Sequence, residues 1–196
     1  TKWSGLARTG DQMSLVNTIE SVGAGGFVYI SVMDFIPAST YSGGHGPSDV
    51  YWPALTDAII KVVTSRAARV RLLASHWAHT DDVMVPYLQA LTVMAQACRY
   101  AYAPCEGELE VRLFEVPGWN ETEGPDAQFP PYSRVNHAKY IITDNRLNVG
   151  TSNMVWSYFT QTAGTSFNSN DEPLRKMVLE VFERNWESGY TTNLTI

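Results

Sequence analysis

Phe27-Val-Tyr-Ile-Ser-Val-Met33 is a nearly continuous run of apolar, β-branched and aromatic residues, the pattern of a strand buried on both faces of a sheet. Working outward, Asp11 to Ser21 has Leu15, Ile19 and Val22 at helical spacing, and Gly23 to Gly26 ends that helix. A Gly/Ser/Pro-rich loop spans Pro37 to Ser48. Trp52 to Ala67 is again helical through Leu55, Ile59 and Val62/Val63, and Val70 to Ala74 reads as a second buried strand. Asp81 to Ala97 is a longer amphipathic helix with Met84, Leu88, Leu91 and Met94 toward the core, and Glu108 to Val116 a third strand. Alternating strands and helices predict an α/β fold, with a mixed, mostly parallel sheet flanked by helices on both faces.

The remainder departs from that alternation. Pro117 to Tyr132 is rich in Pro, Gly and acids and reads as a surface loop. Ala138 to Thr143 and Leu147 to Thr151 are strand-like and joined by Asp144-Asn-Arg146, a tight-turn composition. Glu172 to Trp186 is a closing helix with Leu174, Met177, Val181 and Phe182 on one side. No internal repeat and no linker divides the chain, so residues 1–196 read as one domain.

Of the 196 residues, 44% are hydrophobic and 17% charged, enough apolar material for one continuous core. The formal net charge of −6 excludes a chain that binds nucleic acid through its overall field. A polyanion would have to meet a local basic pocket. No apolar run reaches the roughly 18 residues of a spanning helix, so no transmembrane segment is expected in this chain. It starts at Thr1 without Met or an apolar leader, as expected of a processed or excised piece. Cys98 and Cys105 lie seven apart and suit either a short-loop disulfide or two buried thiols. Two glycosylation sequons, Asn120-Glu-Thr122 and Asn193-Leu-Thr195, lean toward a lysosomal or secretory lumen, Asn120 in a polar loop and Asn193 at a frayed C-terminus.

Chemistry concentrates in Val135-Asn-His-Ala-Lys-Tyr-Ile-Ile-Thr-Asp144, followed by Gly150-Thr-Ser-Asn153. On a strand, His137 and Lys139 project to the same side. An imidazole beside an ammonium can present a nitrogen nucleophile to phosphorus while the cation offsets charge on the phosphoryl oxygens. Gly150 lets the backbone approach a bound group, and Ser152 and Asn153 add polar side chains. A lone His and Lys on a strand face more often mark a solvated edge, and an Asp at a turn is usually a turn former. The joint spacing His-x-Lys-x4-Asp with a following Gly-x-Ser-Asn shifts the balance toward a site.

These residues resemble the phospholipase D superfamily signature. The wider stretch Arg134 to Tyr140, with Gly150 to Asn153 and Tyr158-Phe-Thr-Gln-Thr-Ala-Gly-Thr-Ser166, is similar to the C-terminal half of the phospholipase-D-like proteins of animal lysosomes. Those are type II membrane proteins known as 5′-to-3′ exonucleases of single-stranded DNA and RNA. The likeness continues in Val28 to Pro37, Tyr51 to Leu55, Val70 to Trp77 and Phe182 to Trp186, and so covers nearly the whole chain. It implies phosphodiester cleavage without metal or other cofactor, through a phosphohistidine. His137 is then nucleophile or general acid, Lys139, Ser152 and Asn153 bind phosphate, and Asp144 supports a histidine.

Two departures bear on this. Lysosomal members can carry Glu where Asp144 keeps the superfamily's usual residue. The chain also has one His-x-Lys where the family's site needs two, since His45, His76 and His79 have no Lys two residues on. The expected partner is an N-terminal half with the other motif, or a second copy of the chain. Trp77, Trp156 and Phe159 are candidate walls of a substrate groove, Trp52 a weaker one. His76-Trp-Ala-His79 has no Cys or acid nearby at ligand spacing except Asp81 and Asp82 at the start of the next helix, and is not expected to hold a metal. A single-stranded nucleic-acid exonuclease is the first functional expectation. A phospholipid hydrolase or transphosphatidylase, or a non-catalytic half serving assembly, are the alternatives.

Overall fold

A computed structural model describes residues 10–39, 50–100 and 105–196. The Phe27 run forms β1 (Phe27–Val32), preceded by α1 (Asp11–Ile19) and followed by a two-residue strand β2 (Phe35–Ile36). Next come α2 (Ala54–Arg66), β3 (Arg69–Ser75), α3 (Met84–Ala97) and β4 (Glu108–Phe114). The C-terminal part contributes β5 (Lys139–Thr143), β6 (Leu147–Gly150), β7 (Met154–Val155), the short α4 (Trp156–Thr160), β8 (Ser166–Ser169), α5 (Glu172–Trp186) and β9 (Thr191–Asn193).

Seven strands form one sheet in the order β8-β6-β5-β1-β3-β4-β9. The mixed α/β sheet is as expected, but its parallel part is the central trio β1-β3-β4. Among the described residues the other four pairings, β1–β5, β5–β6, β6–β8 and β4–β9, are antiparallel. The helical crossovers that enforce parallel pairing lie before β4, and beyond it hairpins and short edge strands take over. β8 and β9, Ser-Phe-Asn-Ser and Thr-Thr-Asn, are too short and polar to show in the hydrophobic pattern.

Strand alternation divides the core. Val28, Ile30 and Val32 of β1, with Val70, Leu72 and Ala74 of β3, pack against α1, α2 and α3. Tyr29, Leu73, Tyr140 and Ile142 face Phe182 and Trp186 of α5 on the other side. The inward stripe of α5 is therefore Leu174, Val178, Phe182 and Trp186, each four residues on from the last. Met177 and Val181 flank it and are exposed, as is Met94 of α3, contrary to the sequence expectation. Phe182 and Trp186 are fully buried, and truncating either to alanine is worth roughly 3–5 kcal/mol. Asp171 caps α5, its carboxylate accepting from Leu174 N at 2.8 Å.

Cys98 and Cys105 are disulfide-bonded, with Cα atoms 5.6 Å apart. No described helix is long and apolar enough to cross a membrane.

Candidate active site

Three chain segments meet at the carboxyl ends of β1 and β3, the edge of an α/β sheet at which ligands generally bind. Lys139 opens β5 opposite Val32, the last residue of β1. Met33 N donates to Ala138 O at 3.0 Å, and Met154 N donates to Asp34 O at 2.9 Å. The parallel pairing of β2 with β7 completes the stitch. The turn after β1, the entry to β5 and the start of β7 are thereby held as one unit.

Inside that unit lie three buried polar side chains, Lys139 (8% exposed), Asp34 (2%) and Asn153 (0%). Asn153 Nδ2 donates to Asp34 Oδ2 at 2.5 Å, and Lys139 Nζ donates to the His137 carbonyl at 3.4 Å. Charges this buried persist when they compensate one another. Burial lowers the Lys139 ammonium to about 8, and the Asp34 carboxylate opposes that fall. His137 stands at the open rim. Partial burial, and then the Lys139 charge, hold its imidazole below the usual value. An exposed imidazole shifted toward its neutral form thus lies two residues before a buried ammonium, a pairing suited to a phosphoryl group.

Ser152 is less directly engaged. Its Oγ donates to Asp11 Oδ2 at 2.7 Å, tying the start of α1 to the loop that carries Asn153. That junction borders a cleft of about 370 Å³ lined in part by Gln12, Tyr158, Phe159 and Gly164.

Asp144 is not part of this group. It follows the far end of β5, five strand positions or roughly 17 Å from Lys139. Its carboxylate accepts from Gly23 N at 3.1 and 3.3 Å, and its carbonyl accepts from Arg175 Nη1. A side chain at Gly26 would come within 2.8 Å of the same carboxylate. Asp144 therefore fastens the turn between α1 and β1, and the expectation that it orients a histidine is not met by the geometry. The physical reason is distance, since Asp144 lies in the bend after Thr143, at the opposite end of β5 from Lys139.

The aromatic candidates divide. Trp77 is buried, with its ring edge-on to His79 at 4.7 Å. Phe159 packs on Trp52 at 4.5 Å, and both it and Trp156 lie against the main core. His76 and His79 do not converge on a common point. His76 Nδ1 lies 2.8 Å from Glu115 Oε1, and His79 Nε2 lies 2.8 Å from Glu123 Oε1. His45 lies outside the described residues. Asn120 is exposed in the 117–132 loop, whereas Asn193 belongs to β9 opposite Arg112 rather than to a frayed end.

Sequence reasoning missed Asp34. The signal was a lone acid just after a nearly continuous apolar strand, in Val32-Met-Asp-Phe-Ile36. It also missed Asn136, whose carbonyl accepts from Ser75 Oγ at 2.6 Å and so pins the approach to His137 onto the end of β3.

The chain is 36% identical over 191 residues to the "5′-3′ exonuclease PLD3" of Bos taurus, covering 95% of this chain and 35% of that protein. It is 35% identical over 188 residues to "Phospholipase D Z" of Dictyostelium discoideum, covering 96% and 39%. The "Virion nicking-joining enzyme" of Vaccinia virus (strain Western Reserve) is 35% identical over 193 residues, covering 96% and 41%. The chain thus spans well under half the length of these relatives. Among solved structures, the fold is similar to that of Nuc, a phospholipase D family member from Salmonella typhimurium. There the TM-score is 0.60 at 12% identity, over 93% of this chain and 89% of that one. The family described as "PLD3/4, PLD-like domain" matches residues 1–119, upstream of His137. With that match covering more than half its length, the chain belongs to the PLD3/4 group of phospholipase-D-like domains.

Proposed function

We propose that this chain is a single domain supplying one half of a two-histidine phosphodiesterase site, which cleaves single-stranded nucleic acid from its 5′ end in a lysosomal lumen. The observation that carries the reading is the buried Lys139–Asp34–Asn153 group beneath the exposed His137. The supporting names are those of relatives, one a 5′-3′ exonuclease and another a nicking-joining enzyme. The disulfide and the exposed Asn120 sequon suit an oxidising, glycosylating route.

The reaction runs in two in-line steps. One histidine's imidazole nitrogen attacks phosphorus and forms a P–N bond, while the P–O bond to the leaving strand breaks. The second histidine gives its proton to that oxygen, then takes one from water. Water attacks the phosphohistidine, freeing a phosphate monoester and restoring the imidazole. Lys139 balances the charge on the phosphoryl oxygens, and the remaining Asn153 amide proton binds one of them. Neither step requires a metal or other cofactor. His137 is one of the two histidines, and the other comes from an N-terminal half of the same protein or from a second copy.

The phosphatidyl alternative rests on the Dictyostelium relative. In the full-length protein, release of mononucleotides from 5′-hydroxyl oligonucleotides is expected. Choline release from phosphatidylcholine with no oligonucleotide cleavage would replace this reading by the lipid one.

A pH profile tests the charge assignment. Lys139 acts as an ammonium, so kcat/KM falls as pH rises through about 8. His137 is lowered from its usual value by partial burial and the Lys139 charge, so its acid limb lies below that of a free imidazole. Asp34→Asn removes the charge that favours the ammonium, so the alkaline limb moves to lower pH. An unmoved limb counts against the Lys139–Asp34 coupling.

A further inference from the structure

Tyr132, in the segment that leads to His137, is part of a ring stack. The Tyr132 ring lies flat on the His79 imidazole, with centroids 4.5 Å apart and 15° between planes. That imidazole makes a T-shaped contact with Trp77, and its Nε2 lies 2.8 Å from Glu123 Oε1. Tyr132 is nevertheless 72% exposed. It also has φ of 58°, a left-handed conformation uncommon for a bulky side chain and one that persists where surrounding structure holds it. Arg134, two residues on, shares the conformation at φ 56° and lays its guanidinium over Phe129 at 3.6 Å.

A single exposed tyrosine on a protein surface usually needs no explanation. This one is backed by an imidazole with a carboxylate oxygen 2.8 Å from its Nε2, and its backbone is strained. It also precedes His137 by five residues, which limits their Cα separation to about 17 Å. The intervening chain is pinned to β3 by the Ser75–Asn136 hydrogen bond. The open face of the ring therefore stands at the same end of the sheet as Lys139, within the span of a short oligonucleotide.

We propose that Tyr132 is a stacking platform for one nucleobase near the scissile phosphate, with His79 and Glu123 as positioning residues beneath it. The inference rests on the nucleic-acid reading above and extends it to a substrate contact. A flat ring fits a nucleobase, because every base offers a π-face whatever its identity, so the contact is sequence-tolerant. An acyl chain would need an apolar groove, which one isolated ring does not form.

The experiment crosses protein variants with substrate variants in the full-length protein. Single-stranded oligonucleotides carry one abasic residue, moved through the first three positions. Tyr132→Asn removes the ring while tolerating the left-handed backbone, and Tyr132→Phe keeps the ring. Tyr132→Asn is expected to raise KM about tenfold on the intact oligonucleotide, with melting temperature unchanged and Tyr132→Phe near wild type. At one position the abasic residue costs the wild type a similar factor and costs Tyr132→Asn almost nothing more. His79→Ala behaves as Tyr132→Asn does, and His79→Phe restores KM. Losses that add independently at every abasic position, or no loss in Tyr132→Asn, overturn the proposal. A wild type that hydrolyses phosphatidylcholine and leaves oligonucleotides intact overturns it together with the nucleic-acid reading, and is recognised before any variant is measured.

Discussion

Replacing His137 by alanine in the full-length protein is expected to lower phosphodiester hydrolysis by about 10²-fold to 10⁴-fold or more, with little change in melting temperature. The large effect follows from either role open to it. As nucleophile it forms the bond to phosphorus, and loss of such a group removes nearly all catalysis. As general acid it protonates an alkoxide leaving group, a contribution of roughly 10²–10⁴ that grows as the leaving oxygen becomes more basic. The small structural effect follows from its exposed place at the rim, where its carbonyl rather than its ring meets Lys139. A p-nitrophenyl phosphodiester separates the roles, because that leaving group departs without a proton. Strong recovery of His137→Ala on this ester marks the general acid, and no recovery marks the nucleophile. Activity within tenfold of wild type on ordinary diesters would falsify the catalytic assignment altogether.

The opposite pattern is expected at Asp144. Asp144→Ala leaves the partly buried Gly23 N–H without its acceptor and frees the turn between α1 and β1. An unsatisfied group of this kind costs about 1–3 kcal/mol, which in a chain of this size is several degrees of melting temperature. Below the transition, kcat stays within a few-fold, since the carboxylate is one strand length from the imidazole and bonded elsewhere. Asp144→Asn, which keeps an acceptor, falls between wild type and alanine. Thermal melting and steady-state kinetics on the same preparations decide the matter. A large fall in kcat with an unchanged melting temperature would return Asp144 to the chemistry.

The contrast between these two residues shows how far periodicity reaches. His137 and Lys139 are two apart, and a period of two already places them on one side of a strand. Asp144 belongs to the same sequence signature, but it lies in the bend beyond β5, with the whole strand between it and Lys139. Proximity in a motif was not proximity in space. The helices were legible for a related reason. Leu15 and Ile19, or Leu55 and Ile59, repeat at a spacing that only one local conformation turns into a single buried face. Where the inward stripe of α5 was misplaced onto Met177 and Val181, several apolar residues competed, and only the sheet beneath chose Val178 and Trp186.

Other features were invisible along the chain because they depend on pairs far apart in it. Asp34 acquires meaning from Asn153, 119 residues away, and from the Lys139 charge. Tyr132 acquires it from His79. β8 and β9 exist because β6 and β4 present free edges to short polar segments that have no strong pattern of their own. The antiparallel half of the sheet has the same origin. Hydrophobic periodicity reports which way a residue faces and is silent on which strand lies beside it.

The single histidine–lysine pair, the buried β1 strand and the helices that cover it were determined by the sequence alone, because each is set by the spacing of residues within one element. The acid that accompanies the lysine, the structural duty of Asp144 and the stack of Tyr132 on His79 were decided only by tertiary structure. Each is set by the meeting of groups that the chain holds far apart, and their energies depend on burial and partners rather than on order along the backbone.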